Sequence, residues 1–249
     1  MPREFEIRKE IEIDATPEQI WQAIATGPGI TAWFMPHEVE PGEGGTVRLT
    51  VEGHEEDSVI TAWEPGKHLA YRGNVAEDGT VHAMEYLIEG RDGASAVLRF
   101  VHSGVFGDGW DDEYEASMAG GWDMYLHTLG QYVTYFLGRP VTFVNANGPD
   151  ASADGTAWVV LQAGLGIDGT PELGDSVHLA PNGLPPVDGV VDYVGPSFLG
   201  VRASEGLYRF HGLADLGLPV AIGHHLYVEG LDREALERDW SGWLAALYV

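Results

Sequence analysis

Residues 97–137 read VLRFVHSGVFGDGWDDEYEASMAGGWDMYLHTLGQYVTYFL. The stretch divides into a strand, a glycine-broken acidic loop and one long amphipathic helix. In the strand, Leu98, Phe100 and His102 alternate with Val97, Arg99 and Val101, the period of two that puts successive side chains on opposite faces. Asp112 with Glu115 three residues later fits an N-cap pair, and the acidic run Asp111, Asp112, Glu113 suits the positive end of a helix. Met118, Trp122, Tyr125, Leu126, Leu129, Val133 and Phe136 then fall at helical spacings and form one broad apolar stripe. About 25 helical residues at ~1.5 Å each span ~38 Å. A stripe of that length and width needs a large curved sheet to lie on.

The residues before it supply one. Phe5, Ile7, Ile11 and Ile13 alternate with Glu4, Glu6, Arg8, Glu10 and Glu12, a half-buried antiparallel strand. Lys9 interrupts the inward face, either as a snorkelling side chain on an edge strand or as a cation in a pocket. Thr16-Pro17-Glu18-Gln19 is a helix start with Thr at the N-cap, Pro at the first position and Gln at the third. That helix carries Ile20, Trp21 and Ile24 and ends at Gly27-Pro28-Gly29, and a short second helix contains Ile30 to Phe34. Strands are expected at 46–51, 58–63, 68–73, 83–89 and 96–103, separated by the hairpin-type stretches EGHEED, EPG, AEDGT and GRDGA. A meander of this kind, followed by a long helix, curls around that helix and leaves a cavity where the two part.

The pieces TPEQIWQAI, ITAWFMPHEVEPGEGGTVRL, VITAWEPGKHLAYR, LRFVHSGV and GGWDMYLHTLGQYV, in that order over residues 5–137, resemble the SRPBCC (START-like) helix-grip superfamily. The branch they are most similar to is the one homologous to the C-terminal domain of the heat-shock ATPase activator, among the polyketide cyclase and lipid-transport group. The resemblance implies an α+β helix-grip fold with a hydrophobic cavity between sheet and long helix. The superfamily shares no catalytic residue set, so the resemblance implies a site and not a reaction.

Composition narrows the function. The chain has 39 Asp and Glu against 13 Lys and Arg, a formal charge of −26, which repels nucleic-acid phosphates and anionic lipid surfaces. There are no cysteines, so disulfides, thiol catalysis and thiolate metal sites are excluded. MPREFEIRKE has no apolar leader core and no run of ~18 apolar residues occurs, so a cytoplasmic protein is expected.

Residues 145–156, NANGPDASADGT, are small and turn-forming and read as a linker. The expected organisation is a helix-grip domain at 1–140, a linker at 141–156 and a truncated helix-grip-like unit at 157–249. In the last, strand-like runs occur at 157–163, 189–194, 198–202, 207–210 and 220–228, and a final helix starts near Asp232 and carries Leu236, Trp240, Trp243, Leu244 and Leu247. Shifted by 130, Gly44, Val47, Leu49, Gly53, Leu69 and Arg72 fall on Gly174, Val177, Leu179, Gly183, Leu199 and Arg202, and Trp63 meets Tyr193. Shifted by 118, Trp122, Leu126 and Leu129 fall on Trp240, Leu244 and Leu247. A degenerate second copy without the 16–26 helix accounts for this, and a generic αβ extension aligned by chance is the competing account. A truncated copy would leave sheet edges open and so invite packing on the first half or on a second copy of the chain.

Local motifs add no chemistry. GLGIDG at 164–169 matches the dinucleotide fingerprint, but TPELGDSVHLAPNGLPP after it cannot form the helix whose N-terminus would meet a pyrophosphate. No GxxxxGK[ST] or GxSxG occurs, His224-His225 point to opposite strand faces, and HEED at 54–57 lacks a second zinc-spaced His. His102 shares the strand face turned toward the long helix. It is either a ligand-orienting or general-base imidazole, or a core histidine bonded to a backbone carbonyl or a Tyr hydroxyl.

The ligand-contacting candidates are Lys9, Trp33, Phe34, Trp63, Tyr71, Tyr86, Phe100, His102, Trp110, Met118 and Trp122, with Trp122 also the foremost core candidate. Three readings follow. One is a binder of a small hydrophobic or aromatic molecule that needs no cofactor or metal. The second is a protein-interaction module similar to the co-chaperone domain. The third is a cyclase, aromatase or hydrolase acting on a polyketide-like substrate, with His102 or a Tyr as acid or base.

Overall fold

The N-terminal alternation forms β1 (Arg3–Ile13), with Phe5, Ile7 and Ile13 buried and every glutamate between them exposed. The computed structural model describes residues 3–51, 53–91, 95–107 and 112–248, the backbone alone at 112–114. The chain divides into two units, Met1–Arg139 and Pro140–Val249.

In the first unit, α1 (Pro17–Ile24) carries the capping box. Thr16 Oγ1 accepts from the Gln19 amide at 3.3 Å, and Gln19 Oε1 accepts from the Thr16 amide at 2.9 Å. Gly27-Pro28-Gly29 does not simply end this helix: it opens α2 (Gly27–Thr31), capped by Thr26 Oγ1, which accepts from Gly29 N at 3.0 Å. The proline sits in the first turn, where its missing N–H costs nothing. A Cβ at Gly29 would lie 2.1 Å from the Gln22 carbonyl oxygen, so the glycine admits the close crossing of the two helices.

The strands follow as β2 (His37–Val39), β3 (Thr46–Val51), β4 (His54–Glu64), β5 (His68–Gly73), β6 (Val81–Arg91) and β7 (Ser95–Phe106), and the unit closes on α3 (Asp112–Tyr135). They form one antiparallel sheet in the order β1-β7-β6-β5-β4-β3-β2. β4 begins inside the stretch EGHEED expected as a connection, and the three-residue β2 is too short to show periodicity. Residues of one sheet face (Phe5, Leu69, Tyr86, Leu98, Phe100) are buried together with Trp122, Leu126, Leu129, Val133 and Phe136 of α3. Met124 and Tyr132, outside the expected stripe, are buried as well. The proposed cap at Asp112 lies outside the described side chains.

Lys9 is not a pocket cation. β1 is a sheet edge, and Lys9 Nζ reaches Asp123 on α3 at 2.6 Å while Arg3 reaches Glu115 at 2.9 Å. Two ion pairs eight residues apart on the helix thus fasten the edge strand to α3.

The second unit has β8 (Thr142–Asn147), a 3-10 turn at Asp150–Ser152, α4 (Ala157–Gly164), β9 (Ser176–Leu179), β10 (Val187–Gly195), β11 (Phe198–Ala203), β12 (Gly206–His211), β13 (Ala221–Leu226) and α5 (Arg233–Leu247). Its antiparallel sheet runs β8-β13-β12-β11-β10-β9. Two expectations need correction. The stretch 141–156 contains β8, paired along its length with β13, so it is no free linker. The run at 157–163 is a helix and not a strand. Asp154 Oδ1 accepts from the amides of Thr156 and Ala157, and Ala157, Leu161 and Leu165, four residues apart, are buried. Val159, within that run, is 67% exposed.

The two sheets follow the same path. In each, the first strand pairs with the last and the strands between run back as a meander, β1 and β7 matching β8 and β13. In each, a helix follows the first strand and another follows the last. β4 shifts register between Ile60 and Ala62, and β10 between Val191 and Tyr193. Gly44 N donates to Ile60 O at 2.8 Å, and Gly174 N to Val191 O at 2.9 Å. α4 follows β8 as α1 follows β1, a helix not expected there from the sequence.

Candidate functional site

A cavity of about 330 Å³ lies in the first unit beside α3. Its apolar wall comes from Phe34, Met35, Val47, Leu49 and Met84, and α3 contributes Met118, Gly121, Trp122 and Tyr125. The polar groups at its surface are His37, Glu56, Ser58, Tyr71, His82 and His102. A largely apolar concavity with a few convergent polar groups is the usual form of a small-molecule site.

Trp122 organises the wall. Its ring lies 4.3 Å from Phe100, 5.2 Å from Phe34, 5.7 Å from His102 and 6.0 Å from Tyr125, centroid to centroid. Its indole Nε1–H donates to His102 Nδ1 at 2.9 Å, and His102 Nε2 meets His82 Nδ1 at 2.9 Å. The bond partners of His102 are therefore an indole and a second imidazole, and neither a backbone carbonyl nor a tyrosine. Burial, with His82 next to it, pushes the His102 pKa down to about 3, so the ring is neutral at physiological pH. Burial also lowers His82, against the opposing pull of Glu56 and Asp78. His37 Nδ1 donates to the Met35 carbonyl at 2.8 Å, and burial lowers its pKa too. Burial lifts the Tyr71 and Tyr125 hydroxyls to about 12, so both are protonated donors.

Of the residues singled out from sequence, Phe34, Tyr71, His102, Met118 and Trp122 line the cavity. Lys9, Trp33, Trp63, Tyr86 and Phe100 lie elsewhere. Trp33 is wholly buried, its indole donating to the Ala23 carbonyl at 2.9 Å. Trp63 packs edge-on against Trp21 at 4.9 Å. Tyr86 and Phe100 are core residues behind Tyr71 and Trp122. Lys9 is engaged with Asp123, and Trp110 lies outside the described residues. Sequence reasoning passed over His37, Glu56, Ser58 and His82. His82 had a usable signal, since it shares strand parity with Met84 and Tyr86. His37, on a three-residue strand, had none.

Among the described residues, no group of three His, Cys, Asp or Glu side chains is placed to hold a metal, and no described helix is long and apolar enough to cross a membrane. In GLGIDG, Gly166 and Gly169 take left-handed turns (φ 79° and 78°) after α4. No helix opens at the third glycine, and the fingerprint has no phosphate-facing N-terminus.

A family model described as Activator of Hsp90 ATPase homolog 1-like protein matches residues 14–134. No curated protein matches the chain. Among solved structures, MLL2253 from Mesorhizobium loti is 22% identical over 53% of this chain and 98% of its own, with a TM-score of 0.47. The Aha1 dimer from Colwellia psychrerythraea is 25% identical over 52% of this chain and 96% of its own, at 0.42. DynU16, from the dynemicin biosynthetic locus, is 15% identical but spans 97% of this chain and 96% of its own, at 0.46.

Proposed function

We propose, from the premise that residues 14–134 belong to the family of Activator of Hsp90 ATPase homolog 1-like proteins, that the first unit binds a small hydrophobic or aromatic molecule beside α3 without transforming it. Family and fold support a ligand-binding or activator-type module in general. The observation that carries the finer reading is the cavity itself, about 330 Å³ and walled by Phe34, Met84, Met118, Trp122 and Tyr125. His102, which a catalytic reading would use as acid or base, already has both ring nitrogens in hydrogen bonds. Native mass spectrometry of freshly purified protein, with Trp-fluorescence titration of an aromatic and lipid library, tests this. Bound mass or saturable quenching is expected, and no retained mass with no quenching by any compound would sink it.

The family description favours one further reading, a protein partner of the chaperone-ATPase kind. It predicts that the purified chain raises the turnover of such an ATPase, and a flat ATPase rate over a range of concentrations removes it.

We also infer that the second unit is a degenerate second helix-grip copy. Its support is the shared strand order, the matching register shifts in β4 and β10, and the helix in the place of α1. Trp240 against His224 at 4.6 Å repeats the pairing of Trp122 with His102 between last helix and last strand. Residues 140–249 made alone are then expected to unfold in one cooperative transition, and a molten fragment would count against an independent copy.

A further inference from the structure

The chain of bonds through His102 has a direction. An indole N–H only donates, so His102 Nδ1 accepts from Trp122 and carries no proton. His102 is buried and neutral, so its proton is on Nε2, and at 2.9 Å that N–H donates to His82 Nδ1. His82 Nδ1 is then an acceptor, and the proton of a neutral His82 is on Nε2. That nitrogen makes no hydrogen bond to another described residue, and the ring lines the cavity.

We propose that His82 is a specificity-determining residue presenting a fixed N–H donor to the cavity, its tautomer set by the Trp122 indole through His102. The molecule bound there therefore offers a neutral oxygen acceptor, a carbonyl or an ether, on an apolar skeleton. The proposal rests on the binding reading above and adds the polarity of the site to it.

Reversal of the relay is costly. A proton on His82 Nδ1 would face the His102 N–H at 2.9 Å, and moving the His102 proton to Nδ1 would set it against the indole N–H. Glu56 and Asp78 are the acidic groups that favour a charged His82. The Asp78 carboxylate already accepts from Thr80 N and Oγ1, both at 2.9 Å. His37 has the opposite polarity: Nδ1–H is spent on the Met35 carbonyl, which leaves Nε2 as an acceptor. The same cavity thus has one histidine that gives and one that takes.

The test has two arms on the full chain, each variant checked for native circular dichroism. Side-chain 15N–1H NMR at neutral pH, with the resonances assigned by His82→Gln, is expected to show the Nε2–H tautomer at both His82 and His102. Trp122→Phe, which keeps an aromatic ring and removes the N–H, is expected to give mixed tautomers. A proton on His82 Nδ1, or a doubly protonated His82, overturns the relay. The second arm measures calorimetric binding of fluorenone and of fluorene, the same rings with and without a carbonyl. Wild type should prefer fluorenone by about tenfold, the effect of one buried neutral hydrogen bond. His82→Phe should abolish the preference while still binding fluorene. Equal affinities, or a preference that survives His82→Phe, overturns the ligand class. Absence of binding by either probe, with the tautomers as expected, overturns the ligand class, while the binding reading itself stands or falls on retained mass and quenching across the library.

Discussion

At the residue scale, Trp122 joins the two halves of the site, since it is at once core, cavity wall and donor to His102. Trp122→Ala is expected to cost ~3–5 kcal/mol in urea unfolding, because the void is lined by four rings that cannot collapse into it. The buried histidines make stability depend on pH. Unfolded, an imidazole titrates near 6.5, whereas burial holds His102 at about 3 and His211, with Arg209 beside it, at about 4. Between those values the unfolded chain binds more protons than the folded one, so stability is full above pH 6.5 and falls as the pH drops. Each group loses about 1.4 kcal/mol per pH unit down to its folded pKa. Urea midpoints measured from pH 7 to 4 should decline steadily, and His211→Gln should flatten the slope. His102 and Trp122 were legible in the sequence from strand parity and helical spacing. Their bond was not, because it joins residues twenty apart on different elements.

At the element scale, α3 presents Gly121 to the cavity, where an added Cβ would meet nothing within 4 Å. Gly121→Leu is expected to stabilise the helix by about 1 kcal/mol through propensity while filling the cavity. Thermal melts and ligand titration should therefore move in opposite directions. In the second unit, Arg209 on β12 and Asp192 on β10 form a buried ion pair at 2.7 Å, 1% and 4% exposed at the side chains. Asp192→Ala would leave a buried guanidinium uncompensated and should cost ~3–5 kcal/mol, whereas replacing both partners by apolar residues should cost much less. Strands with clear alternation were readable, β7 and β1 above all. α4 was misread because its paired valines favour strands locally, while the evidence for a helix, Ala157, Leu161 and Leu165 buried four apart, depends on what covers them.

At the scale of the whole molecule, each unit holds its own sheet and its own buried cluster, Val144, Leu161, Val201, Phe210 and Trp243 among the residues of the second. A chain ending at Arg139 is therefore expected to retain the ligand affinity of the full protein, measured by the same titration. A loss of more than tenfold would show that the second unit contributes to the site. What the sequence by itself determined was the helix-grip architecture of the first unit, the order of its meander and the amphipathic α3. The meander and α3 follow from local periodicity and capping, which neighbouring residues encode, and the helix-grip architecture from the resemblance of residues 5–137 to that superfamily. The sequence also carried the gapless alignment of 44–72 on 174–202 at a shift of 130. Only the tertiary structure decided which aromatic residues line the cavity and which fill the core, that β8 closes the second sheet against β13, and that Trp122, His102 and His82 form one directed chain. Those outcomes depend on which faces meet across the sheet and beneath the helix, and no spacing along the chain expresses that.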